Sequence, residues 1–301
     1  MGEISLMEKP QEGLAMAGFL QIFLDSHIIS AEGLRVKEAL PPYLDPNLKI
    51  EDLLTGVCFA SAGAGFDPVT NELASVLSIE DQLNMFKEYK GKLIAAVGEE
   101  KTSLILADSV IIISMGSNDI SGTYFLSPYR RIMYNIEDYT TMLVNASSNF
   151  LQELYNLGAR RIGVLSLGPV GCVPMQRTIS GGKDRKCVES VNQASRVYNS
   201  KISSSIVALS QSLPDARLVY LEIYDEFNHV MEHLSQFGFE EGSKQCCGIA
   251  NLEVGPFCNS FALKICEDAS KYVFWDSYHP TEKFYSILVT MLIEKNVNKF
   301  V

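Results

Sequence analysis

Long apolar runs are missing from this chain. None approaches the roughly 18 residues needed to cross a bilayer, so no spanning helix is expected. Positive charge is scarce as well. Lys and Arg number 25 against 36 Asp and Glu, and the resulting net charge of -11 argues against a nucleic-acid partner. The same acidity disfavours anionic membranes while permitting contact with neutral lipid or wax. Histidine is limited to four residues, which narrows any search for a general base. The start of the chain has no basic n-region: Met1 to Pro10 carries Glu3, Glu8 and one Lys. Gly13 to Leu24 is mildly apolar, but Gln21 interrupts it and no cleavage site follows, so it does not read as a signal peptide. Gly2 is followed by Leu6 where N-myristoylation needs Ser or Thr. Repeats and low-complexity linkers are absent too.

What is present is a core. Of 301 residues, 47% are hydrophobic and only 20% charged, which excludes general disorder. Seven cysteines are many for a reduced cytosolic protein. Cys58 lies alone in an apolar stretch, Cys172 and Cys187 bracket a Gly/Lys/Arg-rich loop, and Cys246, Cys247, Cys258 and Cys266 crowd one irregular segment. Three disulfides, one thiol and an oxidising compartment are expected. The late cluster leaves three pairings open. Its spacing does not match paired zinc knuckles. Asn145-Ala146-Ser147 is a glycosylation sequon, but it falls inside a helical pattern.

Four short apolar runs alternate with helical patterns, as in a parallel sheet covered on both faces. They are Thr55 to Ala60, Ser109 to Met115, Arg161 to Leu167 and Ala216 to Ile223, each stopped by turn residues. Tyr139, Leu143, Ala146, Phe150, Leu154 and Leu157 stripe one helix face, with Gly158 as its stop. Cys187 to Leu213 reads as a long helix ended by Pro214, and a last helix begins near Pro280-Thr281-Glu282. Residues 1–30 form an atypical leading segment, and residues 31–301 form one α/β domain with an irregular excursion from about Phe237 to Asp268.

In open α/β sheets chemistry collects at the carboxyl ends of strands. Here those ends carry Ser61-Ala62-Gly63, Gly116-Ser117-Asn118-Asp119 and Gly168-Pro169, and a fourth candidate is the loop Trp275 to Pro280. Asp276 and His279 are three residues apart, so one tight turn can set the carboxylate against a ring nitrogen and leave the other as a base. The plainer alternative is a helix cap by Asp276 beside an exposed His279. Asn118 can donate its amide, and Gly63 its backbone N–H, to an oxyanion. Together these make an acyl-transfer site apart from its nucleophile. His229 and His233, with Glu232 beside them, have a metal-ligand spacing but no third ligand in view, and read as a solvated face.

These residues resemble a family. Gly116 to Asp119, Gly56 to Gly65 (GVCFASAGAG), Leu157 to Pro174 (LGARRIGVLSLGPVGCVP), Cys246-Cys247-Gly248 and Tyr272 to Glu282 (YVFWDSYHPTE) together look like the plant GDSL esterase/lipase family of SGNH hydrolases. The similarity runs from about Ala31 to the C-terminus. It implies a flavodoxin-like three-layer α/β/α fold with five parallel strands, hydrolysis of carboxylic esters of lipid or acyl type, no cofactor and no metal. A secreted, glycosylated monomer would be the ordinary member, and its partner would be a small-molecule ester. By carry-over, Gly63 and Asn118 look like oxyanion donors, Asp276 the orienting acid and His279 the base. The departure is the nucleophile. The family's Gly-Asp-Ser turn after the first, central strand is not in this sequence, and the nearest imitation, Phe23-Leu24-Asp25-Ser26, lacks the glycine. No nucleophile is therefore identified, and a sheet without its first strand is expected. Weak or absent turnover follows, with a non-catalytic acyl-binding protein or a truncated fragment as rivals.

Overall fold

The computed structural model describes residues 19–20, 40–248 and 264–300. In chain order the helices and strands are β1 (Phe19–Leu20), α1 (Ile50–Thr55), α2 (Pro68–Ala74), α3 (Ile79–Val97), α4 (Glu99–Asp108), β2 (Val110–Ser114), α5 (Pro128–Met133), α6 (Ile136–Leu157), β3 (Arg161–Leu165), α7 (Pro174–Ser180) and α8 (Glu189–Ser212). Then follow β4 (Arg217–Leu221), α9 (Tyr224–Glu232), β5 (Glu241–Gln245), β6 (Cys247–Gly248), β7 (Lys264–Ile265), β8 (Tyr272–Phe274) and α10 (Glu282–Asn296). A wide helical turn, Asp119–Leu126, with hydrogen bonds one residue longer than an α-helix's, joins β2 to α5.

β1 to β4 form one sheet in that order, every pair parallel. Val110 to Ile113 register with Arg161 to Val164, and Arg161 to Leu165 with Arg217 to Leu221. Parallel neighbours require crossovers, which α6 and α8 supply by packing together over one face. That face buries Tyr89, Tyr139, Tyr198, Phe59 and Phe86, and the other buries Val219, Leu221, Phe227, Phe274, Phe284 and Leu288 beneath α9 and α10. The result is the expected three-layer α/β arrangement.

The strands read at 109–115, 161–167 and 216–223 are β2, β3 and β4, and the three sequence-predicted helices are α6, α8 and α10. Gly158 ends α6 in a left-handed conformation, φ +117°. Two expectations need correction. Thr55 to Ala60 is not a strand of the main sheet among the described residues. Its first residue closes α1, Gly56 turns the chain at φ +111°, and the rest makes only an isolated bridge from Cys58 to Pro42. Burial of Val57 and Phe59 explains the apolar signal without a ladder. The place beside β2, expected to lack a strand, is taken over two residues by β1, with Phe19 opposite Ile113 and Leu20 opposite Ser114.

The cysteine-rich excursion contains more order than its composition suggests. β5 pairs parallel with β8, and β6 pairs antiparallel with β7. Cys172–Cys187 and Cys246–Cys266 are disulfides, and Cys247 is disulfide-bonded as well. Cys58 remains a thiol, and burial pushes its pKa up. Among the described residues, no helix is long and apolar enough to cross a membrane.

Candidate functional site

A cavity of about 750 Å³ opens at the carboxyl ends of β2, β3 and β4, and its lining includes Gly63, Asn118, Pro169 and His279. Three of the four sequence-predicted site residues therefore line one cavity. Asp276 lies behind His279, only 6% exposed.

The turn after β8 builds the acid–base pair. Asp276 Oδ1 accepts the backbone N–H groups of Tyr278 and His279, both at 2.8 Å, which closes the tight turn. Its Oδ2 lies 2.5 Å from His279 Nδ1. The cap and the orienting carboxylate, alternatives in the sequence, are thus the two oxygens of one side chain. The rest of the turn is stitched to neighbours: Cys246 N–H donates to Phe274 O, Cys247 N–H to Trp275 O, and Met175 N–H to Ser277 O. Tyr278 beside it is half-buried, and burial followed by the Asp276 charge pushes its hydroxyl up to about 12.

Across the cavity, Asn118 Nδ2 donates to Ala64 O at 3.1 Å, tying the end of β2 to the loop that carries Gly63. One amide proton is spent there and the second is left to point elsewhere. Gly63 sits at φ +88°, where an L side chain is strained. No acceptor among the described residues engages its N–H.

The loop is held from below by Asp119, which is fully buried. Its carboxyl accepts from Phe66 N–H at 2.9 Å, Asp67 N–H at 3.0 Å and Thr70 Oγ1 at 2.6 Å. A Cβ on Gly65 would stand 2.1 Å from Asp119 Oδ1, so only glycine allows this approach. Burial pushes the Asp119 carboxyl up to about 7, against the pull of Thr70 and the two N–H groups, and the Asp67 charge adds to the rise. Asp67 shifts the other way. Burial would raise it, but the Arg130 guanidinium, the Val69 N–H and the Tyr139 hydroxyl outweigh burial and hold it below the usual carboxylate range. Arg130 grips it with Nε at 2.7 Å and Nη2 at 2.6 Å.

Sequence reasoning missed this support. Asp119 enters the sequence reading only as part of a turn and Tyr139 only as part of a helix stripe, while Asp67, Thr70 and Arg130 do not enter it. The available signal was Asp67-Pro68, a helix cap followed by a first-turn proline, on the loop already singled out. Other candidates resolve simply. His229 and His233 pack as tilted rings with centres 4.7 Å apart, and His233 Nδ1 lies 2.8 Å from His229 O. Among the described residues no group of three His, Cys, Asp or Glu is placed to hold a metal. Asn145 is exposed within α6, but Ser147 of its sequon is buried. Ser26 lies outside the described residues.

Comparison with known proteins agrees with the geometry. A family model described as GDSL-like lipase/acylhydrolase matches residues 28–290. The chain is 43% identical over 291 residues to GDSL esterase/lipase EXL3 of Arabidopsis thaliana, covering 97% of this chain and 79% of that protein. It is 46% identical over 273 residues to GDSL esterase/lipase At5g42170 of the same plant, covering 91% and 73% respectively.

Proposed function

Starting from a chain that belongs to the GDSL-like lipase/acylhydrolase family, we propose that its cavity binds carboxylic esters of acyl or lipid type for serine-type acyl transfer. The observation that carries this reading is His279, held at Nδ1 by a buried carboxylate while its ring lines the cavity shared with Gly63 and Asn118. In the proposed cycle a serine hydroxyl attacks the ester carbonyl and gives its proton to His279 Nε2. Asp276 keeps the ring in the Nδ1–H tautomer and stabilises the imidazolium that forms. The Gly63 N–H and the second amide proton of Asn118 receive the negative charge on the carbonyl oxygen. His279 then protonates the leaving alcohol, and water repeats the sequence to release the acid. Leu73, Val76, Val170, Ile223, Phe227 and Leu288 give the cavity an apolar lining suited to an acyl chain. No cofactor is needed for any step. The disulfides support work outside the cell, in an oxidising compartment.

The chain contains no Gly-Asp-Ser tripeptide, and the base and oxyanion donors alone form no acyl-enzyme. Turnover of a short-chain nitrophenyl ester by the purified 301-residue protein is therefore expected at or near background. Robust turnover abolished by Ser26→Ala would overturn this and make Ser26 the nucleophile. The apolar cavity also supports a second reading, retention of an acyl ligand without chemistry. Saturable binding of a fatty ester that stays intact is its mark, and hydrolysis of the bound ester excludes it.

A further inference from the structure

The rim of the cavity carries an apolar surface that nothing in the acyl-transfer reading uses. α5 is a six-residue helix with no buried residue. Tyr129, Ile132 and Met133 are 65%, 82% and 60% exposed, and Ile132 is the most exposed large apolar side chain among the described residues. Leu126 and Ser127, which line the cavity, lead directly into α5, and the Ser127 hydroxyl caps its first turn by accepting from Tyr129 N–H at 3.2 Å. On the neighbouring α2, Leu73 lines the cavity and is itself 59% exposed. The two helices are locked together, because Asp67 caps α2 through Val69 N–H and is gripped by Arg130 of α5. Leu73 thus lines the opening, and the three exposed side chains of α5 follow directly on the cavity-lining Leu126 and Ser127, on a helix tethered to α2.

We propose that this rim docks the cavity mouth onto a neutral lipid surface, so that an ester passes from the lipid phase into the cavity without crossing water. The proposal rests on the acyl-ester reading of the cavity and names how its substrate is presented. Exposed apolar patches rimmed by polar residues mark interaction sites, and the occupant here follows from continuity. The patch adjoins the cavity lining through Leu73, Leu126 and Ser127, so a folded protein seated on the patch would cover part of the entrance. A surface of aggregated ester would instead supply it. Charge selects the kind of surface. α5 contains no acidic residue, and Arg130 is neutralised by Asp67, leaving Arg131 as its one unengaged cation among the described groups. With a chain at net charge -11, attraction to an anionic membrane is not available and apolar burial must supply the affinity.

The test is flotation of the full chain with phosphatidylcholine vesicles containing trioleoylglycerol, compared with a variant carrying Tyr129→Ser, Ile132→Ser and Met133→Ser. The wild type should float with the vesicles, insensitively to salt, and the variant should lose partitioning by at least about tenfold. An unchanged thermal melt verifies that these exposed replacements leave the fold intact. Equal partitioning of the two proteins would overturn the proposal, as would no flotation of the wild type. So would binding that requires phosphatidylserine and disappears in salt, or a concentration-dependent dimer abolished by the same substitutions. Failure of the acyl-ester reading looks different: it appears as no saturable binding of a fatty ester to the cavity while flotation persists.

Discussion

Replacing Asp276 by Asn separates the two duties of that side chain. The amide oxygen can still accept from the Tyr278 and His279 N–H groups, so the turn survives. The amide nitrogen now donates to His279 Nδ1 and forces the ring proton onto Nε2, the nitrogen a base needs free. Nitrogen-15 spectra of histidine-labelled protein should show the Nδ1–H tautomer in the wild type and Nε2–H in Asp276→Asn. The same tautomer in both proteins removes His279 from the role of base. Asp119 predicts a pH effect. Its carboxyl moves from 3.8 to about 7 on folding, so the folded state holds a proton that the unfolded state has released between those values. Stability from this group is present below about 4 and is lost as pH rises towards 7. Asp119→Asn should flatten that part of the melting temperature against pH, at some cost in overall stability. An unchanged slope would show that Asp119 does not titrate there. Asp67 has the opposite sign, and its contribution is lost only as pH falls below the ordinary carboxylate range.

At the scale of elements, the tie between α2 and α5 is the joint most exposed to mutation. Arg130→Gln leaves the buried Asp67 carboxylate with Tyr139 and Val69 as donors but without its cation, and should cost about 3 kcal/mol in urea denaturation. A loss below about 1 kcal/mol would mean that solvent takes over the pairing. How legible these elements are in sequence depends on the distance over which they are specified. β2, β3 and β4 are uninterrupted aliphatic runs whose two buried faces show directly in composition. α6 announces itself by its stripe and its glycine stop. Val57 and Phe59 mislead because burial alone makes an apolar run, whatever its hydrogen bonding. The helical turn at Asp119–Leu126 has no propensity signature. α3, begun by the reciprocal Ser78 and Asp81 cap, was readable from Ser-x-x-Asp and was not read. In the site, Asp276 and His279 are legible because one turn contains both. The Asp67–Arg130–Tyr139 network is not, since its members stand 63 and 72 positions apart from Asp67.

Over the whole molecule, the two disulfides Cys172–Cys187 and Cys246–Cys266 bracket the acid–base turn. Cys246 and Cys247 donate to the backbone of Phe274 and Trp275 on one side, while α7, which follows Cys172, donates through Met175 to Ser277 on the other. Removing Cys172–Cys187 by paired serine substitutions should cost about 3 kcal/mol for its 15-residue separation, read by denaturant unfolding. A loss no larger than that of an exposed serine substitution would show the bridge to be dispensable. The turn also binds chemistry to the history of the chain. Before oxidation, the segments that brace the Asp276–His279 turn offer it the same backbone hydrogen bonds but are not themselves clamped to Cys187 and Cys266. Ester binding by the reduced protein should therefore be weaker than by the oxidised one, and equal binding would show that the bridges do not support the cavity.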